Sequence, residues 1–181
     1  MTRTKSSARE TGVVLDSVCT IHLGGELFAV RLTDLVEVVT GVQLYPCPLS
    51  PAYIAGLMHY RGDVLTMIHL RALLGLPPIS AAAESRSISM VMTGAHGLFA
   101  MQADGVGEVR SLEAASLEPV PALVDRERHS FLQGVYKLED GLLPLLDVQR
   151  LEPVALRAWA TAHAHEAIAA GRQEQKHAMA S

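Results

Sequence analysis

Residues 54–75, IAGLMHYRGDVLTMIHLRALLG, decide the fold that the sequence predicts. Two apolar runs lie on either side of a polar tetrad that begins at Tyr60 and ends at Asp63. Apolar runs around a glycine-containing turn predict a β-hairpin, and the last residues of the stretch predict a short helical turn. Because an Arg-Gly pair at the tip of an apolar hairpin adds little to a core, we expect Arg61 to have a functional role.

Composition limits the classes of protein to which the chain can belong. The 181 residues are 49% hydrophobic but only 4% aromatic, which predicts one domain, or two small subdomains, with an aliphatic core. A net charge of −4 argues against nucleic-acid binding. The polar N-terminus lacks the apolar segment of a secretory signal, so Cys19 and Cys47 are expected to be reduced thiols in a cytoplasmic protein. The sequence contains no run of 18 apolar residues, so we do not expect the chain to insert directly into a membrane.

The rest of the chain is predicted to consist mainly of further strands. Residues 1–15 predict a disordered lead, and residues 18–32 predict a hairpin around Gly24-Gly25. Residues 76–86 read as a connector and residues 120–130 as a polar loop. After Pro153 the sequence becomes rich in alanine, so residues 154–181 predict a C-terminal helix with a frayed tail.

The sequence repeats itself. ELFAVRLTDLVEV at 26–38 resembles GLFAMQADGVGEV at 97–109 with an offset of 71 residues, and Gly56 matches Gly134 with an offset of 78. The repeat predicts two copies of a five-stranded β unit that pack together, because one such unit buries little surface alone. The expected boundaries are about 26–86 for subdomain 1, about 88–150 for subdomain 2, and a shared first strand at 18–24.

These motifs together resemble the CheW family, the coupling proteins of bacterial chemosensory arrays. The resemblance rests on the spacing of Gly56, Arg61-Gly62 and Leu70-Arg71, on Glu37-Val38, and on the degenerate second copy, and it covers about residues 16–153. It implies two SH3-like β-barrels with a hydrophobic core between them, no catalysis and no cofactor. Family members bridge the cytoplasmic tips of methyl-accepting chemoreceptors to the regulatory domain of a CheA-type histidine kinase.

The resemblance and the hairpin together predict a partner-binding surface. Arginine can make planar, bidentate contacts that lysine cannot, and the acid matching Glu37 lies on the receptor-facing surface of the family. Gly56 has a competing explanation, a bulge or a close backbone approach. The predicted contact residues are Leu35, Glu37, Gly56, Arg61, Gly62 and Asp63. The sequence departs from the family pattern at His59, Tyr60, Thr66 and His69, where the family has Asn, Leu, Pro and Asp.

Two alternatives from other functional classes stay open at this point. A small metal-binding protein or enzyme would use His59 and His69, which flank the hairpin, together with Asp147. A small-ligand sensor would use the seam between the two barrels, since a groove between subdomains is a natural binding site. The tripeptide Arg61-Gly62-Asp63 also matches an extracellular adhesion motif, but the expected cytoplasmic location argues against that role.

Overall fold

The computed structural model describes residues 14–78, 87–122, 126–139, 141–152 and 154–155. These residues form a mainly β protein, as the sequence predicts, with two sheets of six and five strands. The strands are β1 (Leu15–Leu23), β2 (Glu26–Arg31), β3 (Leu35–Val39), β4 (Ile54–Tyr60), β5 (Asp63–His69), β6 (Ile88–Thr93), β7 (Leu98–Ala103), β8 (Gly105–Glu113), β9 (Leu117–Glu118), β10 (Leu132–Leu138) and β11 (Gly141–Leu146).

The helical elements in this part of the chain are short. They are α1 (Leu70–Leu73), a 3-10 turn (Ala114–Ser116), α2 (Arg126–His129), and residues 148–152 and 154–155. Helix α2 lies inside the segment expected to be a polar loop, and β1 begins at Leu15, the last residue of the expected lead. Within the described residues, no helix has the length and hydrophobicity needed to cross a bilayer. Most of the predicted C-terminal helix, and the lead before residue 14, lie outside the described residues.

The two sheets have the same strand order once the repeat is taken into account. The order is β8-β1-β2-β11-β10-β9 in one sheet and β3-β6-β7-β5-β4 in the other. Each sheet therefore combines the first two strands of one repeat with the last three long strands of the other, and the six-stranded sheet also contains the two-residue β9. The junctions are the parallel pairs β2–β11 and β5–β7, whereas the remaining pairs are antiparallel.

This exchange means that the sheets do not follow the expected division near residue 87. β1 and β2 lie in the six-stranded sheet with the second repeat, and β6 and β7 lie in the five-stranded sheet with the first. Because each exchanged unit is a complete hairpin, its antiparallel pairing is kept and only one parallel junction is added to each sheet.

The register of the strands confirms the duplication residue by residue. Ile21 pairs with Phe28 in the first repeat, and their equivalents at an offset of 71, Met92 and Phe99, pair in the second. The parallel junctions agree as well, since Met67 pairs with Ala100 and the equivalent Leu145 pairs with Ala29. The two halves therefore share one topology, which is what the sequence repeat predicts.

Three apolar clusters hold the sheets together. The largest contains residues of both sheets, for example Ile21 and Phe28 from one and Met92 and Phe99 from the other, all almost fully buried. This is the shared aliphatic core that the sequence predicts. Each of the two smaller clusters is built from a single sheet, and every strand of that sheet contributes to it. Each sheet therefore curls into a barrel around its own cluster. We call these the five-stranded barrel and the six-stranded barrel.

Candidate functional site

The tip of the β4–β5 hairpin is a two-residue loop formed by Arg61 and Gly62. Tyr60 and Asp63 are the last paired residues of the two strands, and both loop residues have positive φ, 50° at Arg61 and 96° at Gly62. Two-residue hairpin loops of this kind favour Asn-Gly or Gly-Gly, since a side chain on a left-handed residue costs about 1–2 kcal/mol. Arg61 therefore occupies a position where its backbone is strained, and strain of this sort is concentrated at functional sites.

Glu37 connects strand β3 to this hairpin tip. A single carboxylate oxygen, Oε2, accepts a hydrogen bond of 2.7 Å from the Tyr60 hydroxyl and one of 2.7 Å from Arg61 Nη2. The Arg61 guanidinium also lies 5.1 Å from the centre of the Tyr60 ring. The Arg61 side chain remains 71% exposed. The guanidinium is thus oriented by two neighbours while most of it still faces solvent.

The hydrogen bond to Glu37 also affects Tyr60. Because the Tyr60 hydroxyl donates to a carboxylate, its pKa is raised above the usual range for a tyrosine. A tyrosine is protonated at neutral pH in any case, and the raised pKa keeps Tyr60 a donor beside Arg61 at more alkaline pH as well. Tyr60 is also one of the departures from the family pattern, and the sequence alone did not identify it as part of the site.

The predicted contact residues are only partly brought together. Glu37, Arg61, Gly62 and Asp63 meet at the hairpin tip, where Gly62 and Asp63 are exposed. Leu35 is half-buried and packs against the shared core, with a register shift between it and Glu37. Leu35 is therefore largely a packing residue in the isolated chain, and its contact with a partner stays a prediction.

Gly56 has a clear structural role. Its φ is 145°, and a Cβ at this position would lie 2.6 Å from the carbonyl oxygen of Tyr45. The equivalent Gly134 has the same constraint, since its Cβ would lie 2.6 Å from the carbonyl oxygen of Glu118. Both glycines lie at a register shift in their hairpins. The close backbone approach considered for Gly56 is therefore present, and nothing in this geometry requires a partner.

His69 and Asp147 occupy equivalent positions and perform the same local task. His69 Nδ1 accepts a hydrogen bond of 3.2 Å from the backbone N–H of Ala72, at the start of α1. Asp147 Oδ1 accepts one of 3.3 Å from the backbone N–H of Arg150. Both side chains cap the start of a helical turn. The histidine that departs from the family pattern thus replaces the acid as a cap.

The geometry lends no support to a metal site. Within the residues that the structure describes, no group of three histidine, cysteine or acidic side chains could hold a metal ion. His59 packs edge-on against the ring of Tyr45, with centroids 5.4 Å apart. Cys19 is buried and Cys47 is half-buried against the shared core, and both are free thiols, as expected for core residues.

Strand β3 contributes an apolar surface that the sequence analysis missed. Val36 and Val38 are 45% and 36% exposed, and β3 is an edge strand of the five-stranded sheet. The alternation of LVEVV indicates that the valines and Glu37 face opposite sides, but it does not say which side is solvent. An exposed apolar edge strand is typical of a surface that docks against another protein.

The fold and this surface define a class, namely internally duplicated, mainly β proteins in which two barrels share one core. The particular family follows from comparison with known proteins. The model of the CheW-like domain matches residues 17–153, and the chain belongs to that family.

Individual relatives are distant but cover most of the chain. It is 24% identical over 132 residues to the chemotaxis protein CheW of Rhizobium meliloti, covering 73% of this chain and 84% of the relative. It is 23% identical over 129 residues to the chemotaxis protein CheW of Helicobacter pylori, covering 71% and 76%. The crystal structure of the scaffolding protein TtCheW from Thermoanaerobacter tengcongensis is similar in fold, with a TM-score of 0.67, 23% identity, and coverage of 74% of this chain and 90% of that one.

Proposed function

We propose that this chain is a non-catalytic adaptor that couples chemoreceptors to a CheA-type histidine kinase in a bacterial chemosensory pathway. Its partners would be the cytoplasmic tip of a methyl-accepting chemoreceptor and the regulatory domain of the kinase. The protein would work in the cytoplasm and reach membrane receptor arrays through these partners. The observation that carries the proposal is an exposed arginine, Arg61, held at a strained hairpin tip by Glu37 and Tyr60.

Membership of the CheW-like family supports the adaptor role. The relatives from Rhizobium meliloti and Helicobacter pylori are named as chemotaxis proteins, and the structural neighbour is named as a scaffolding protein. The chain spans most of the length of these relatives, so the comparison extends over the whole shared domain rather than over a fragment of it.

The physical character of the hairpin tip supports protein binding. Arginine is enriched among the residues that dominate binding energy, because its flat guanidinium combines apolar contact with several hydrogen bonds. Glu37 already accepts from Nη2, which fixes the orientation of Arg61 and reduces the entropy lost when a partner binds. Val36 and Val38 provide exposed apolar area on β3, the strand that carries Glu37.

The groups with shifted pKa values support a structural rather than a catalytic interpretation of the described residues. Asp104 is bonded to Arg71, Glu152 to His96, and Tyr136 to Asp16. Burial raises the pKa of Tyr136 to about 12, helped by its hydrogen bond to Asp16. Each of these contacts joins distant segments of the chain, so we propose no catalytic step for them.

The proposal is tested by replacing Arg61 and measuring capture of both partners. Asn suits a left-handed position better than Ala does, so Arg61→Asn removes the guanidinium without adding backbone strain. We expect at least a tenfold loss of affinity for the kinase regulatory domain, the receptor fragment, or both, which corresponds to about 1.4 kcal/mol. Titration calorimetry with purified components, followed by size-exclusion analysis of the ternary complex, provides the measurement.

Lys137→Ala is the matched control for this experiment. Lys137 is a cation of similar exposure, 65%, and it pairs with Glu118 in the six-stranded barrel, away from the hairpin tip. We expect this variant to bind both partners as the unmodified chain does. If Arg61→Asn and the unmodified chain capture the partners equally, Arg61 is not a partner-binding residue. If the unmodified chain binds neither partner, the adaptor function itself is overturned.

A further inference from the structure

The five-stranded barrel contains a cavity beside its apolar cluster. The cavity has a volume of about 490 Å³ and is partly open. Ligand sites in proteins usually measure about 300–1,000 Å³. The residues that define it include Val42, Leu44, Ala55, His69, Ser89 and Gln102. Three of these, Val42, Leu44 and Ala55, belong to the apolar cluster of this barrel or pack against it, so the cavity lies outside the shared core.

The duplication allows a direct comparison with the same place in the six-stranded barrel. The Val18–Arg31 pair is equivalent to the Ser89–Gln102 pair in strand register. Arg31 Nη1 donates a hydrogen bond of 3.1 Å to Asp16, and Arg31 Nε donates one of 3.2 Å to Gln133. The Tyr136 hydroxyl donates to Asp16 as well, at 2.6 Å. Longer polar side chains, joined by hydrogen bonds, therefore stand at this place in the six-stranded barrel.

Smaller residues stand at the equivalent positions of the five-stranded barrel. At an offset of 78, Ala55 stands where the other half has Gln133, and Ala72 where it has Arg150. At an offset of 71, Ser87 stands in place of Asp16, and Ser87 accepts a hydrogen bond of 2.6 Å from Gln102 Nε2. Since the two halves share one backbone topology, these smaller side chains distinguish the five-stranded barrel from its counterpart at this place.

The walls of the cavity indicate the chemistry of a ligand. Its apolar lining side chains are aliphatic, and its polar ones are those of Ser87, Ser89, Gln102 and His69, with no Asp, Glu, Lys or Arg among the lining residues that the structure describes. A charged ligand would lose its hydration without gaining a partner of opposite charge. The cavity thus favours an uncharged molecule over an ionic one.

Ser89 indicates which polar group such a molecule would carry. This residue is only 7% exposed, and its hydroxyl donates to the sulfur of Met67 at 3.8 Å. A thioether is a weak acceptor, so a carbonyl or hydroxyl oxygen of a ligand would be a stronger partner for the Ser89 hydroxyl. His69 lines the cavity while its Nδ1 caps α1, which fixes the orientation of the ring.

We propose that this cavity binds a small uncharged molecule with an apolar body and a hydrogen-bond-accepting oxygen. The site is distinct from the hairpin tip and does not depend on the adaptor function. It also differs from a site in the seam between the barrels, because the seam is occupied by the shared aliphatic core.

The test uses the full chain and two naphthalene dyes of opposite character. 6-Propionyl-2-(dimethylamino)naphthalene is uncharged and carries a ketone, whereas 8-anilino-1-naphthalenesulfonate is an anion. We expect the uncharged dye to bind, with a blue shift of its emission, at least tenfold more tightly than the anionic dye. Saturable binding of the anionic dye with equal or greater affinity, or no binding of the uncharged dye, overturns the proposal.

Substitutions that copy the six-stranded barrel locate the binding. Ala55→Gln and Ser89→Val each introduce the side chain of the equivalent position, and Ala122→Gln makes the same chemical change as the first at an exposed residue. We expect Ala55→Gln and Ser89→Val to weaken binding of the uncharged dye at least tenfold and Ala122→Gln to change it less than twofold. Thermal unfolding of each variant confirms that it is folded. Ser89→Val alone suffices if Ala55→Gln does not fold, and unchanged binding by the folded variants overturns the site.

Discussion

Gly56 and its equivalent Gly134 each contribute to the free energy of unfolding, because each lies against a backbone carbonyl that a side chain would meet. A Cβ on Gly56 would lie 2.6 Å from a backbone oxygen, and its φ of 145° is also unfavourable for a side chain. Gly134 has the same approach, 2.6 Å from the carbonyl oxygen of Glu118. We predict that Gly134→Ala lowers the free energy of unfolding by about 1–3 kcal/mol through overpacking, and that Gly56→Ala costs about 1–3 kcal/mol more through backbone strain.

Urea unfolding followed by circular dichroism measures both variants. Gly62→Ala is a useful comparison, because Gly62 has a φ of 96° but no atoms within 4 Å of an added Cβ, so it reports strain without a clash. If Gly56→Ala unfolds at the same urea concentration as the unmodified chain, the close approach has no energetic importance, and Gly56 regains its place as a candidate contact residue.

The roles of some single residues could be predicted from the sequence, whereas those of others could not. Arg61 stood out because a charged residue at an apolar hairpin tip has no packing role, and its exposure agrees with that interpretation. The capping by His69 could not be predicted, because a cap depends on which backbone N–H lies beside the side chain. The exposure of Val36 and Val38 was missed for a related reason, since alternation gives two faces without naming the buried one.

At the scale of elements, Arg71 and Asp104 join three segments that are far apart in sequence. Arg71 on α1 donates to both carboxylate oxygens of Asp104, through Nη2 at 2.6 Å and Nε at 3.0 Å. Asp104 also accepts from the backbone N–H of Gly24 at 2.7 Å, in the β1–β2 turn. Arg71 donates to the carbonyl of Pro77 as well. Because the Arg71 side chain is only 8% exposed, removing its partner leaves a buried cation unpaired.

The Asp104→Asn variant is therefore predicted to be less stable by about 3 kcal/mol at pH 7. Burial on its own raises the pKa of Asp104, but the hydrogen bonds from Arg71 and Gly24 outweigh it and hold the pKa below the usual value. A carboxylate with a lowered pKa stabilises the fold above its unfolded pKa, and this contribution is lost as the pH falls through the folded pKa. The stability difference between the two proteins should therefore shrink below about pH 4.

Urea titrations at several pH values between 7 and 3 measure this difference. Glu108→Gln serves as the control, since Glu108 is 65% exposed and pairs with Arg110 on the same strand. We expect this control to follow the unmodified chain across the pH range. A gap between Asp104→Asn and the unmodified chain that stays constant down to pH 3 would show that charge on Asp104 is not what stabilises the link.

The sequence predicts the hairpins and short helices that neighbouring residues form, but it does not predict which hairpins pair with each other in a sheet. The hairpin of β4 and β5 and the short α1 follow from local pattern, because turn chemistry and alternation are confined to a few residues. The exchange of β1–β2 and β6–β7 between the sheets has no local signal, since either hairpin could complete either barrel. The repeat indicated two similar units, but only the pairings of β2 with β11 and β7 with β5 decide which strands form each.

At the scale of the whole molecule, the exchange predicts which pieces of the chain can form a sheet alone. A fragment of residues 14–86 contains β1 to β5 but lacks β6 and β7, which separate β3 from β5 in the five-stranded sheet. A fragment of residues 33–104 contains every strand of that sheet, from β3 to β7. We predict that the second fragment gives a β-type circular dichroism spectrum and that the first does not.

This comparison separates two views of the duplication, because the fragments have similar lengths and differ in which strands they keep. The 33–104 fragment loses the six-stranded side of the shared core, so its unfolding should be less cooperative than that of the full chain. A cooperative unfolding transition for residues 14–86 alone would mean that each repeat folds as a contiguous unit and takes up the exchanged arrangement only afterwards. Failure of that fragment, with sheet formation by residues 33–104, would mean that the exchanged set of strands and not the contiguous repeat is the folding unit. The five-stranded barrel, which carries Arg61, could then form without the six-stranded one.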